Sequence, residues 1–163
     1  MYDFLNDPQF VQHKLDGDCY LFKNIQHPLP TWDDVIQNLN TSIKNDWLVK
    51  YLHHYGFVTH NAEIMPAVGD LLKYISTLDP NVPSSAHCYF SLTDFSHTFG
   101  RHNDPSDVFF WQFIGKTEWT VESKNGKIIH ILEPNDLLFV PRGMWHNTKP
   151  LTARAGISFG LDY

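Results

Sequence analysis

The sequence predicts a mainly β domain of jelly-roll type, a sandwich or barrel of short strands with N-terminal helices packed on one sheet. Three observations point there. From residue 87 onward, strand-length apolar runs follow one another at short spacing, each closed by a turn signal. Aromatic residues make up 15% of the 163 residues and favour strands, while 10 Pro and 9 Gly supply turns. Before residue 87 the periodicity is mostly helical. The length suits one domain, 1–163, with a mixed helical layer over 1–86 and the β core over 87–163.

In order along the chain, 19–22 and 57–59 read as short edge strands. Thr31 followed by Asp34 forms a capping-box start, after which Val35, Ile36, Leu39 and Ile43 fall at helical spacing. Pro66 suits the first turn of a second helix carrying Val68, Leu71, Leu72 and Ile75. PNVPSS (80–85) is a connector. In 87–93, His87, Tyr89, Ser91 and Thr93 share one face and Cys88, Phe90 and Leu92 the other. A strand is expected at 99–102. VFFWQFI (108–114) is apolar on both faces, as for a strand buried on both sides. Strand 117–122 leads through Asn125 and Gly126, a strong hairpin signal, into 128–132. EPND (133–136) is a turn, 137–140 a strand and PRG (141–143) a turn. Strands opening near Trp145 and over 153–160 finish the series of eight.

Composition excludes several functions. Twelve basic against 18 acidic residues give a net charge of −6, against non-specific binding to nucleic acid, which depends on phosphate neutralisation. No apolar run approaches the ~18 residues of a membrane span. The opening MYDFLNDPQF carries acids where a leader peptide needs basic residues. Cys19 and Cys88 make no disulfide framework, so a cytoplasmic protein is expected.

Of the 10 histidines, His13, His27, His53, His54 and His60 read as surface or packing residues. His102 and Asp104 form the only His-x-Asp pair, and His146 opens a later strand. Two imidazoles and a carboxylate can make the facial triad of non-haem iron sites, which leaves coordination positions open. By spacing alone, a turn aspartate beside a hydrogen-bonded histidine reads equally well.

The stretches FGRHNDPSDVFFWQFIGKTEWTVE (99–122) and HILEPNDLLFVPRGMWHNTKPL (130–151), with GISFG (156–160), resemble JmjC-type and related cupin-like oxygenases that use Fe(II) and 2-oxoglutarate. Gln112, Gly115 and Trp119 stand at the family's places after the His-x-Asp, and Asp136 through His146 match its second run. Asn135 replaces the family's usual turn glycine. The resemblance covers about 87–163. It implies a double-stranded β-helix, Fe(II) held by His102, Asp104 and His146, and 2-oxoglutarate as co-substrate of a hydroxylase.

The family's usual Lys or Arg for the distal carboxylate of 2-oxoglutarate is Thr117 here, and Lys116 reads as a surface lysine. Arg154 stands at the offset where prolyl-hydroxylase-like relatives place their anchoring arginine; a rim arginine is the alternative. Gly156, Ser158 and Gly160 share its face and leave room for a ligand. Tyr89 is a further candidate donor, with a structural hydrogen bond as the alternative. Trp111 and Trp119 read as core, Trp145 as a water-excluding neighbour of a ligand, and Arg101 and Arg142 as solvated loop residues.

A metal-dependent cupin enzyme without 2-oxoglutarate, and a non-catalytic cupin-like binding module, remain as alternatives. The substrate, whether protein, nucleic-acid base or small molecule, is not selected by the fold. Because the sequence stops directly after the last core strand, a monomer is expected, with a dimer through the N-terminal helices as the alternative.

Overall fold

In the computed structural model, residues 3–163 are described; the first two residues of the acidic opening lie outside them. Ten strands form two antiparallel sheets: β1 (Tyr20–Phe22), β2 (Val49–Leu52), β3 (Gly56–Thr59), β4 (Ser84–Ser91), β5 (Asp107–Ile114), β6 (Thr117–Ser123), β7 (Gly126–Leu132), β8 (Leu137–Val140), β9 (His146–Pro150) and β10 (Arg154–Leu161). The major sheet has the order β1-β8-β5-β10-β4-β3-β2, and the minor sheet β7-β6-β9. The mainly β, jelly-roll expectation is therefore met.

Helices α1 (Pro8–Asp16), α2 (Trp32–Lys44) and α3 (Pro66–Ile75) precede the core strands. Phe10 of α1, Val35 of α2, and Val68, Leu71 and Ile75 of α3 share one apolar cluster with Phe109, Trp111, Phe139, Ile157 and Phe159 of the major sheet. The opposite face of that sheet contributes Phe110, Leu138 and Val140 to a second cluster with Trp119, Val121 and Leu132 of the minor sheet. Successive residues of β5 thus enter different cores, which is why its sequence is apolar throughout.

Registers align side chains in rows across the inner face of the major sheet. Leu52, Gly56, Ser91 and Arg154 make one row, and Lys50, Val58, Tyr89 and Gly156 the next. The pairing of Thr59 with Cys88 and of Ser158 with His87 continues this as a third row of His60, His87 and Ser158. These rows position the site.

The structure corrects the sequence reading at several places. The short strands read at 19–22 and 57–59 form as β1 and β3, but the unexpected β2 pairs outside β3, so the edges of the major sheet are β1 and β2. The expected strand at 99–102 is a loop, joined to β9 only by an isolated bridge between His102 and His146. Seven strands therefore follow residue 83, not eight. Helix α2 starts at the expected capping box of Thr31 and Asp34 but buries Val35, Asn38 and Ser42, leaving Ile36 and Ile43 exposed. The reason is polar: the Asn38 amide oxygen accepts from the Thr59 hydroxyl at 2.5 Å, and the Ser42 hydroxyl donates to the Asn38 carbonyl. The β6–β7 hairpin forms, with Ser123 opposite Gly126, so its tip is Lys124 and Asn125 rather than Asn125 and Gly126.

Asn135 takes the expected left-handed conformation, φ 74°. Its side chain is also used: the amide oxygen accepts from the His27 backbone N–H at 3.2 Å and from the indole N–H of buried Trp111 at 3.4 Å. His27 is itself buried, its Nε2 2.6 Å from the Ala67 carbonyl oxygen. Gly115, with φ 67°, turns β5 into β6 where an added Cβ would lie 2.1 Å from the Ala153 carbonyl oxygen. Gln112 spans the bulge at Ala155 and Gly156 by donating to the carbonyls of Ile114 and Ala155.

Candidate metal and co-substrate site

His102 and Asp104 lie in the loop before β5, and His146 is the first residue of β9. His102 and His146 exchange both backbone hydrogen bonds, at 3.0 and 2.8 Å, so the loop is fastened to the minor sheet at the two histidines themselves. The Gly143 N–H donates to the Asp104 carbonyl at 2.8 Å and holds the third residue to the turn before β9.

Side-chain geometry follows from that clamp. His102 Nδ1 is 2.9 Å from the Gly100 carbonyl oxygen, and His146 Nδ1 is 3.0 Å from that of Met144. A carbonyl only accepts, so each Nδ1 carries the proton and each Nε2 lone pair is free to bind a metal. The two Nε2 atoms lie 3.8 and 3.5 Å from the Asp104 carboxylate oxygens. The three ligating atoms fall within 4.8 Å of one another. Trp119 stacks on the His146 ring at 5.2 Å, which fixes its plane. Burial, and secondarily the His102 ring, hold His146 below its ordinary pKa, favouring the neutral form a metal needs.

A cavity of about 470 Å³, its mouth included, opens beside these groups. Tyr89, Phe110, Arg154 and Ser158 of the major sheet line it opposite Trp119, His146 and Thr148, with Phe99, His102 and Asp104 from the loop. Arg154 is 4% exposed, and its guanidinium makes no hydrogen bond or ion pair among the described residues; Nε is buried without a partner. Burial lowers its pKa to about 10, and Cys88 and Tyr89 only partly oppose this. Tyr89 is pushed up to about 12, by burial and then by Asp104, so its hydroxyl keeps its proton and can donate. Such a cation is costly to bury alone and is suited to an anion entering the cavity.

The structure thus brings together His102, Asp104, His146, Arg154, Tyr89 and Ser158. Thr117 is wholly buried with an unpartnered hydroxyl but does not line the cavity. Gly156 leaves no ligand space, because the Phe110 ring fills it, 2.5 Å from where a Cβ would stand. Lys116 is a surface residue, ion-paired with Glu133 at 2.6 Å. Trp145 turns away from the cavity under the Arg101 guanidinium, which lies 4.0 Å from its ring centroid and grips Glu122 with two bonds of 2.8 Å. Sequence reasoning placed Trp119 in the core alone and missed Thr148, which period-two spacing from His146 would have supplied. Leu52 and Phe99 carried no such signal.

No protein-family model matches this sequence, and no curated protein matches it. Solved structures do. The ribosomal oxygenase YcfD from Escherichia coli, in complex with cobalt and 2-oxoglutarate, is 18% identical, with a TM-score of 0.79 over 98% of this chain and 52% of that one. The same protein with cobalt and succinic acid gives 0.81 over the same shares. A single-site mutant of the Bacillus subtilis oxalate decarboxylase OxdC is 13% identical, with a TM-score of 0.53 over 72% of this chain and 28% of that one. The chain spans about half the length of YcfD. These similarities establish the jelly-roll fold and agree with the JmjC-type and cupin-like resemblance in the sequence.

Proposed function

We propose that the chain is an Fe(II)- and 2-oxoglutarate-dependent dioxygenase that hydroxylates a substrate C–H bond. One observation carries this reading: a buried, unpartnered guanidinium shares a small cavity with a His-Asp-His set whose Nε2 atoms are free. A metal-only cupin site does not explain Arg154. A 2-oxoglutarate site does, because its co-substrate has one end for the metal and a carboxylate at the other. The YcfD complexes, with cobalt and 2-oxoglutarate or succinic acid in a similar fold, support it.

The donor set fits a divalent first-row metal, with two neutral imidazoles and one carboxylate on one side and the cavity on the other. When bound, Fe(II) with 2-oxoglutarate supplies the oxidative decarboxylation to succinate and carbon dioxide that activates dioxygen. The protein's residues then have distinct tasks. Gly100 and Met144 carbonyls fix the tautomers of His102 and His146. Arg154 holds the distal carboxylate through charge-assisted bonds of its planar fork, and Ser158 and the Tyr89 hydroxyl offer further donors nearby. Trp119, Phe110 and Phe99 keep the reacting space apolar and limit water.

The test is to incubate the chain with Fe(II), ascorbate and ¹³C-labelled 2-oxoglutarate in air and follow succinate by NMR. Succinate forming with wild type but not with Asp104→Ala supports the reading. Metal binding with no 2-oxoglutarate binding overturns it in favour of a metal-dependent cupin, and absence of metal binding in favour of a binding module.

A further inference from the structure

Beyond the cavity, the inner face of the major sheet continues through residues that the proposed reaction does not use. In the register described above, His60 and His87 follow Ser158 in one row, and Lys50 adjoins Val58 and Tyr89 in the next. His60 Nδ1 lies 3.2 Å from His87 Nε2, with ring centroids 4.2 Å apart. The Lys50 ammonium stands 5.5 Å from the centroid of the Phe99 ring, and that ring lines the cavity.

We propose that Lys50, His60 and His87 form an anion-reading subsite at the outer end of the cavity, and that the substrate carries a carboxylate on an apolar body. The proposal rests on the cavity being the reaction site, and it names the chemistry of what enters.

Three features support it. Lys50 makes no ion pair among the described residues, so its charge is unanswered at the edge of a half-buried floor. The histidine pair is neutral at pH 7: burial, then His60 and Lys50, push His87 down to about 4, and burial and Lys50 lower His60. One N–H bridges the two rings, and the pair retains a second donor. His60 Nε2 is buried with no partner among the described residues, a polar atom that a ligand group would satisfy.

Charges of both signs act on the pair, the Lys50 ammonium and one carboxylate. The carboxylate that acts on His87 is Asp162, whose Oδ1 accepts from Ser106 at 2.6 Å. Asp104 faces His102 and His146 instead. Two imidazoles this close would otherwise suit a metal ion, but the neighbouring ammonium repels a cation. Between this subsite and the metal residues, Leu52, Phe99 and the Tyr89 ring line the cavity and offer an apolar path. A free organic acid and an acidic side chain beside an apolar one in a polypeptide present the same chemistry.

The test uses the full chain without metal, labelled with ¹⁵N-histidine, at pH 7. Ring resonances of His60 and His87, assigned with His60→Gln and His87→Gln, are followed during titration with 3-phenylpropionate and with 3-phenylpropionamide. The acid is expected to shift both rings saturably and at least tenfold more tightly than the amide. In Lys50→Met, a change at an exposed position, that preference should fall below twofold. N-acetyl-Phe-Glu-amide binding more tightly than 3-phenylpropionate points to a polypeptide source, and the reverse to a free acid; either order supports the subsite. Equal binding of acid and amide, a preference that survives Lys50→Met, or unmoved ring resonances overturn it. No metal, 2-oxoglutarate or turnover is involved, so this failure and failure of the oxygenase reading are separate results.

Discussion

Replacing Arg154 with methionine should stabilise the ligand-free protein and destroy its hold on 2-oxoglutarate. The guanidinium is fully buried and unpartnered among the described residues, and its pKa falls from 12.5 to about 10. At about 1.4 kcal/mol per tenfold, that drop corresponds to roughly 3 kcal/mol against the charged form. Methionine keeps the length and packing without the charge, so a gain of about 1–3 kcal/mol is expected. In a chain of this size each kcal/mol moves Tm by about 2–4 °C, so Tm should rise by several degrees. The opposite effect appears with ligand. Losing one partner of a buried charge pair costs about 3–5 kcal/mol, or at least a hundredfold in affinity. Differential scanning calorimetry without ligand and anaerobic titration of 2-oxoglutarate with Mn(II) present read both quantities. Arg154→Lys should recover only part of the affinity, because a point charge cannot reproduce the fork. If Arg154→Met melts below wild type, the guanidinium has a stabilising partner in the protein. If it binds 2-oxoglutarate normally, the anchor is another residue.

Three other outcomes follow from local geometry. Asn135→Gly, although it relieves a positive φ, should cost about 1 kcal/mol by urea denaturation, because the buried Trp111 N–H loses its acceptor; a neutral change would show that this bond contributes nothing. Gly115→Ala should destabilise by more than about 3 kcal/mol, combining left-handed strain with a backbone clash at Ala153. Gly143→Ala, at φ 78° with open space around it, should cost only about 1–2 kcal/mol, and equal losses at the two positions would contradict the clash. The metal-free protein should lose stability as pH falls from about 6.5 to about 4. His87 has a depressed folded pKa, so the unfolded chain takes up its proton first; its contribution is complete above 6.5 and disappears through 4. Tm measured across that range should fall less steeply in His87→Phe than in wild type.

The core strands were legible because their signals are local. Alternation in β6, continuous apolarity in β5, and turn residues at Asn135 and Gly143 each act over a few neighbours. What was illegible depends on distant pairing. Nothing near Tyr20 announces that β1 will pair with β8, and nothing near Val49 that β2 will form the other edge of the major sheet. In helix α2 the apolar spacing holds for Val35 and Leu39 but not for Ile36 and Ile43, because Asn38 and Ser42 take the buried side with polar bonds while the two isoleucines face water. At the site, family-like spacing marked His102, Asp104 and His146, and strand alternation placed Arg154 with Ser158. It could not show that Arg154 is buried without a partner, because that depends on Ser91, Tyr89 and Cys88 from a strand far away in sequence. Thr117 stands at the family's usual anchor position and is buried, yet it is not among the residues lining the cavity.

The proposed function requires one cavity to hold a metal on His102, Asp104 and His146 and a 2-oxoglutarate carboxylate on Arg154. A crystal structure grown anaerobically with Mn(II) and 2-oxoglutarate tests it most directly. An anomalous metal peak bound by the two Nε2 atoms and the Asp104 carboxylate is expected, with the distal carboxylate of 2-oxoglutarate bidentate on the Arg154 guanidinium. A metal bound elsewhere, or a metal at the triad with Arg154 facing no carboxylate, would contradict it.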